Sequence, residues 1–227
     1  NGHGVEASSG CTIGGAIPGA GNIIAFNTGH GVSAGGTGSS IIANSIAFNG
    51  GAGVYVPSGT GKLISANSIF SNAQLGIDLA PTGVTPNDSG DGDSGANNRQ
   101  NFPVLSSVSS SGGSMTIQGT LNSKPNTSFS LEFFASPTAD PTGYGEGRTF
   151  LGSAGVTTNS SGNATFAVTL PSLVPPGQSI TATATDPGNN TSEFSKAVGG
   201  NQPPVAVNDT YTINEDTVLN VSQPGVL

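Results

Sequence analysis

Short apolar runs framed by Asn and Gly return at a fixed step through residues 1–80. Three segments align without gaps: Asn22-Ile-Ile-Ala-Phe-Asn27, Asn44-Ser-Ile-Ala-Phe-Asn49 and Asn67-Ser-Ile-Phe-Ser-Asn72. A Gly (31, 53, 76) and then a β-branched residue (32, 54, 77) follow in each copy, and every column advances by 22 and then 23. A partial copy, His3-Gly4-Val5, precedes Val32 by 27 positions. Self-similarity at a fixed period is the signature of a stacked repeat. This period, with Gly and Asn at fixed places, predicts the coils of a right-handed parallel β-helix, stacked about 4.8 Å apart. Ile24, Ile46 and Ile69 then form one inward ladder, Val32, Val54 and Ile77 a second, and Ile41 and Ile64 a third. Corners fall to Asn and Gly, which best tolerate the left-handed backbone region, and stacked Asn side chains bond from coil to coil. Phe26, Phe48 and Phe70 are expected to pack inward or at corners rather than stack on sugar rings. His3 and His30 share one column and read as surface turn residues.

Beyond Phe102 the texture changes to alternation with turn punctuation. Ser114–Leu121, Phe129–Phe134, Arg148–Ser153, Ala164–Leu170 and Ser179–Thr185 each show period two or a buried run, separated by turns rich in Pro, Gly and Asn. With Val104–Ser107 and Glu193–Val198 they make about seven strands, the count of an Ig-like antiparallel β-sandwich. The fold class is therefore all-β: a short parallel β-helix over 1–85, an acidic junction over 86–101, and an Ig-like sandwich over 102–198. In the junction Asp88, Asp91 and Asp93 are interleaved with Gly and followed by Asn97. Calcium takes six to eight oxygens from such groups on a backbone flexible enough to wrap it. The spacing is not that of an EF-hand, and a solvated polar linker is the competing reading.

The run Thr12-Ile-Gly-Gly through Asn27, with its later copies, resembles the repeats of bacterial right-handed β-helix proteins of the pectate-lyase-like superfamily. That resemblance covers about residues 1–85 and implies a fold rather than an activity, because the fold carries lyases, hydrolases and inert stalks alike. Asp91–Leu105 resembles the closing segment of such repeats, which leads into an immunoglobulin-like module. Thr183–Ser195 is similar to the last hairpin of bacterial Ig-like repeats, where Asp and Asn hold the turn or a calcium ion; here these are Asp186 and Asn189. Residues 199–227 open as a linker, and Val205 onwards resembles the start of a cadherin-like surface repeat, with Asp209 and Glu215 where relatives ligate interdomain calcium. Two strands cannot close a sandwich, so the chain reads as a fragment of a longer protein.

Composition narrows the function. The chain of 227 residues carries 36 Gly and a net charge of −8. An acidic chain without Lys/Arg clusters does not neutralise nucleic-acid phosphates, and no apolar run reaches the ~20 residues that span a bilayer. A single cysteine, Cys11, makes no internal disulfide. Residues 1–86 hold only Glu6, Lys62 and Asp78 as charged groups, too few and too far apart for the paired carboxylates of a glycosidase. The leading reading is a non-catalytic module of a secreted or cell-surface bacterial protein, of stalk or adhesion type, facing carbohydrate or a partner cell. Its alternatives are a polysaccharide lyase or glycoside hydrolase whose catalytic coils lie upstream, and a purely structural spacer.

Overall fold

A computed structural model describes residues 2–111, 113–171 and 177–199. The expected cadherin-like segment, with Asp209 and Glu215, lies outside the described residues.

Ten strands of three residues build the first unit: β1 (Val5–Ala7), β2 (Thr12–Gly14), β3 (Ile23–Ala25), β4 (Val32–Ala34), β5 (Ser40–Ile42), β6 (Ser45–Ala47), β7 (Val54–Val56), β8 (Leu63–Ser65), β9 (Ser68–Phe70) and β10 (Ile77–Leu79). They stack as three parallel sheets, β1-β4-β7-β10, β2-β5-β8 and β3-β6-β9, which makes this part a parallel β-solenoid. The sequence ladders appear in register: Ile24 on Ile46 on Ile69, Val32 on Val54 on Ile77, and Ile13 on Ile41 on Ile64. All of these side chains are buried. A three-residue strand cannot bury enough to stand alone; stacking supplies one continuous core.

Asparagine ladders hold the corners. The Nδ2 of Asn22 donates to Oδ1 of Asn44 at 2.9 Å, and that of Asn44 to Oδ1 of Asn67 at 3.0 Å. A second ladder runs Asn27 to Asn49 at 2.9 Å and Asn49 to Asn72 at 2.8 Å. Each receiving Oδ1 also takes the backbone N–H of the donating Asn.

The turn itself lies one residue earlier than expected. Phe26, Ala43, Phe48, Ala66 and Ser71, each directly before a ladder Asn, take positive φ of 52–60°, at roughly 1–2 kcal/mol each for a residue with a Cβ. Because the ladder Asn must turn inward to reach the next coil, its predecessor makes the bend and its side chain is thrown outward. Of the two packings expected for the phenylalanines, inward or at corners, the inward one is thereby corrected for Phe26 and Phe48, which sit at the corners 79% and 49% exposed. The repeat glycines likewise serve space, not handedness. A Cβ on Gly31 would lie 2.5 Å from the Ile46 side chain, and one on Gly53 2.5 Å from that of Ile69.

The second unit is antiparallel: β11 (Val104–Ser111), β12 (Ser114–Asn122), β13 (Ser128–Ser136), β14 (Thr149–Thr157), β15 (Asn163–Pro171), β16 (Ser179–Thr185) and β17 (Val198–Gly199). One sheet runs β11-β12-β15 and the other β14-β13-β16-β17. Leu105, Ile117, Leu121, Leu131, Phe133, Phe166, Ile180 and Ala182 are among the residues of their shared core. The strand expected at Glu193–Val198 is mostly irregular. Ser192 and Ser195 place their hydroxyls where β16 would find backbone acceptors, taking the N–H of Ala184 and Ala182 at 3.0 Å each. Glu193 and Phe194 are thereby freed to turn towards the solenoid.

Every residue of β16 is buried, although a sandwich strand normally shows one face to water. The far side of this sheet lies against the solenoid. Phe134 and Phe194 enter the solenoid's own core cluster beside Ile69, Ile77 and Leu79, edge to face with centroids 5.3 Å apart.

Candidate functional site

The open end of a solenoid exposes the backbone donors of its last coil, and such an edge must be covered or paired. Here the second unit covers it corner by corner. Glu132 takes the Ser65 hydroxyl at 2.5 Å and the Ala66 N–H at 2.9 Å. Glu146 receives both donors that end the second asparagine ladder, the Asn72 N–H at 3.1 Å and its Nδ2 at 2.8 Å. Glu193 takes the Leu79 and Thr85 N–H groups at 2.9 Å each. Ile69 and Gly147 exchange two backbone bonds, and Thr191 Oγ1 receives the Ile64 N–H at 3.0 Å.

Burial penalises the charged form of all three carboxyls. It pushes Glu146 up to about 7, helped by neighbouring Asp140. It also pushes Glu193 up to about 7, helped by Asp78, and moves Glu132 in the same direction. These residues were missed from sequence. Glu132 sits inside an apolar strand, Phe129-Ser-Leu-Glu-Phe-Phe134, and a charge there signals a strand buried on both faces.

Beside the Glu146 corner the two units leave a cleft of about 270 Å³. Phe70 and Ser71 form its solenoid side, and Thr138, Asp140 and Arg148 its other side. The Arg148 guanidinium lies 4.6 Å above the Phe70 ring. Phe48 meets Phe70 edge-on at 5.6 Å, while Phe26 and Phe48 stack face to face at 5.2 Å.

The acidic junction is built into the protein. Asp91 is buried, its carboxylate taking the Asn101 N–H at 3.0 Å and the Ser123 hydroxyl at 2.9 Å. Asp88 caps the Gly92 N–H at 3.1 Å, and Arg99 lies 3.7 Å from Asp93. One carboxylate oxygen from each of Asp88, Asp91 and Asp93 falls within 4.8 Å of the others. Oδ1 of Asp88 and Oδ1 of Asp93 are shielded from water without a protein partner. Burial raises the Asp91 and Asp93 carboxyls above their usual range.

Asn97 stands apart from this cluster. Its buried amide bridges Lys62 N–H at 2.9 Å, Lys62 O at 2.8 Å and Thr191 O at 3.0 Å, pinning the junction to the solenoid. Lys62 is itself buried and donates to the carbonyls of Gly36 and Ser58. Asp186 receives Asn190 through its N–H and Nδ2, with Lys124 at 3.5 Å. Asn189 makes the bend there at φ 63°.

His3, His30 and Tyr55 form an outer stack, with centroids 4.9 and 4.5 Å apart. Each imidazole Nδ1 accepts a backbone N–H from the next coil, His3 from His30 and His30 from Ala52. Glu6 and Asp78 share a column, separated by Ser33 and Tyr55, so three rungs hold them about 14 Å apart. Among the described residues no helix is long and apolar enough to cross a membrane. No family model and no curated protein matches the chain.

Proposed function

We propose that the chain is a non-catalytic module of a secreted or cell-surface bacterial protein, a stiff adhesion stalk that meets extracellular carbohydrate or a partner cell. The observation that carries this reading is the closed junction: carboxylates meet the last coil at three corners, joining two β-units without a disulfide. The sparse charge of the coils supports it, since the separated Glu6 and Asp78 make no catalytic pair. We read the antiparallel unit as Ig-like, with two sheets in the order 1-2-5 and 4-3-6-7 around one core, and the solenoid as of pectate-lyase type.

Calcium belongs to the same proposal. Asp88, Asp91 and Asp93 are the residues that would hold it, and the unpaired, water-shielded Oδ1 atoms of Asp88 and Asp93 are what a hard divalent cation satisfies. Its charge would offset the mutual repulsion of the three carboxylates.

The function is tested with the chain immobilised on a surface and challenged with polysaccharide-coated beads, while the supernatant is assayed for new sugar ends. Bead retention without released ends is the expected result. Release of reducing or unsaturated ends would overturn the non-catalytic reading.

A further inference from the structure

The outward phenylalanines invite a sugar platform, but their geometry argues against it. Sugar rings stack on aromatic faces, and Phe26 and Phe48 cover each other's faces with planes only 7° apart. Arg148 lies over the Phe70 ring. The facing sides of Phe26 and Phe48 and the Arg148 side of Phe70 are thus closed to a sugar ring. The cleft at the end of this row is different, because it combines shape with fixed hydrogen-bonding groups at a boundary between two units, where ligand sites favour forming.

We propose that this cleft, between Phe70-Ser71 of the solenoid and Thr138–Arg148 of the antiparallel unit, binds one unit of a neutral saccharide. The proposal rests on the carbohydrate-facing reading above and assigns it a site. No carboxylate pairs with Arg148 among the described residues, and its place over Phe70 fixes the guanidinium in advance of binding. Asp140 supplies the complementary acceptor. Both of its bonds from Thr142, N–H at 2.8 Å and O–H at 2.5 Å, fall on Oδ1, which leaves Oδ2 for a ligand. Ser71 and Thr138 add hydroxyls to the lining, and Pro137 and Pro141 add apolar rings.

Charge decides the class of sugar. The cleft contains one guanidinium and two carboxyls, Arg148 against Asp140 and Glu146, within a chain of net charge −8. An anionic sugar meets the Asp140 carboxylate and, above about pH 7, that of Glu146, and a cationic one meets the guanidinium. Vicinal hydroxyls satisfy both kinds of group, since each donates to a carboxylate and accepts from an N–H. The volume of about 270 Å³ lies just under the ~300 Å³ at which drug-sized pockets begin, suited to a single ring rather than an enclosed chain.

Calorimetry on the whole chain with cello-, xylo-, laminari- and mannohexaose, and with hexagalacturonate as the anionic control, tests this. At least one neutral hexasaccharide should bind, and Asp140→Asn and Arg148→Met should each weaken it about tenfold or more. Phe26→Ser should leave binding unchanged, and unaltered melting curves would show that each variant folds. If a neutral sugar binds but ignores both cleft substitutions, the site is wrong and the carbohydrate reading survives. Preference for hexagalacturonate overturns the neutral class. Absence of binding to every probe at millimolar concentration sinks the site and the carbohydrate reading together.

Discussion

The solenoid and the antiparallel unit solve the same problem, satisfying every buried backbone group, by opposite means. In the solenoid each device is repeated: an Asn that bonds to the next Asn, an Ile above an Ile, a Gly where no Cβ fits. In the antiparallel unit the backbone ladders do most of the work, and the decisive side chains occur once. Glu132, Glu146 and Glu193 lie in unrelated local sequences and share only their destination, the edge of the last coil. A repeat keeps satisfying itself until it stops; where it stops, a different kind of residue must take over. Glu146 stands where another ladder Asn would stand, accepting the same two donors from Asn72 that Asn72 accepts from Asn49.

Cutting a ladder in the middle should have the largest effect. Asn49→Ala removes the Oδ1 acceptor of the Asn27 N–H and Nδ2, the side-chain donor to the Ile24 carbonyl, and the Nδ2 donor to Asn72 Oδ1, which keeps only the backbone N–H of residue 49. With several groups left short of partners, the loss should be about 3–5 kcal/mol. Thr116→Ala breaks an exposed hydroxyl pair with Thr169 in the second unit and should change stability by no more than about 0.5 kcal/mol. Urea unfolding monitored by circular dichroism compares them. Equal midpoints would mean that the ladder is ornamental and apolar stacking alone sets the register.

The closed end should lose stability as pH rises, and buried Asp78 on β10 shifts in the same direction. Glu146 and Glu193 rise from 4.5 when free to about 7 in the folded chain. Between those values the folded form keeps protons that the unfolded form releases, so raising the pH draws the chain towards unfolding. Stability from these groups is therefore complete below about pH 4.5 and lost as pH climbs through 7. The ceiling is about 3 kcal/mol for each group, so the melting temperature should be several degrees higher at pH 5 than at pH 8. Glu132 moves in the same direction. The double variant Glu146→Gln, Glu193→Gln keeps an acceptor at both corners and should flatten the profile. A wild-type melting temperature that rises from pH 5 to pH 8 would remove these carboxyls as the dominant titrating groups.

How much of this was legible follows the same division. Lockstep columns gave the three apolar ladders and the coil-to-coil asparagine bonds, because a stacked neighbour is found by adding 22 or 23. The outward turn of Phe26 was not visible: it depends on the residue before each Asn taking the left-handed conformation, which a Phe does against its own preference. In the second unit alternation located most strands, but it assumes one wet face per sheet. That assumption failed at β13 and β16, which are covered by the solenoid. The junction read as either a calcium loop or a linker. Asp88, Asp91 and Asp93 do converge, while Asn97 serves as a brace between units.

Calcium would sharpen the contrast, since it would act on the junction and on neither neighbouring core. Saturating calcium should raise the melting temperature by a few degrees, about 1–3 kcal/mol at 10 to 100 times the dissociation constant. The increase should be greater at pH 7 than at pH 5, because burial raises the Asp91 and Asp93 carboxyls and protons compete with the metal. Asp88→Asn with Asp93→Asn should abolish the increase. No heat in calorimetry and no change in melting would exclude calcium at this cluster.

The smallest effect separates three residues at one corner of the solenoid. Phe26 is exposed and Phe48 half-exposed, while Phe70 is half-buried beneath Arg148 at the boundary between units. If the stack owes its existence to the turn and not to packing, Phe26→Ser should cost only about 0.5 kcal/mol, the low end for an aromatic pair in water. Phe48→Ser disturbs two ring contacts and should cost about twice that. Phe70→Ser should cost the most of the three, since it also removes the support of Arg148 and part of the contact between units. Denaturant midpoints for the three variants give the order directly. A flat series would mean that the second unit gains nothing from the Phe70 corner, and that the carboxylates, the Ile69–Gly147 bonds and the Phe134–Phe194 packing hold the solenoid end closed without it.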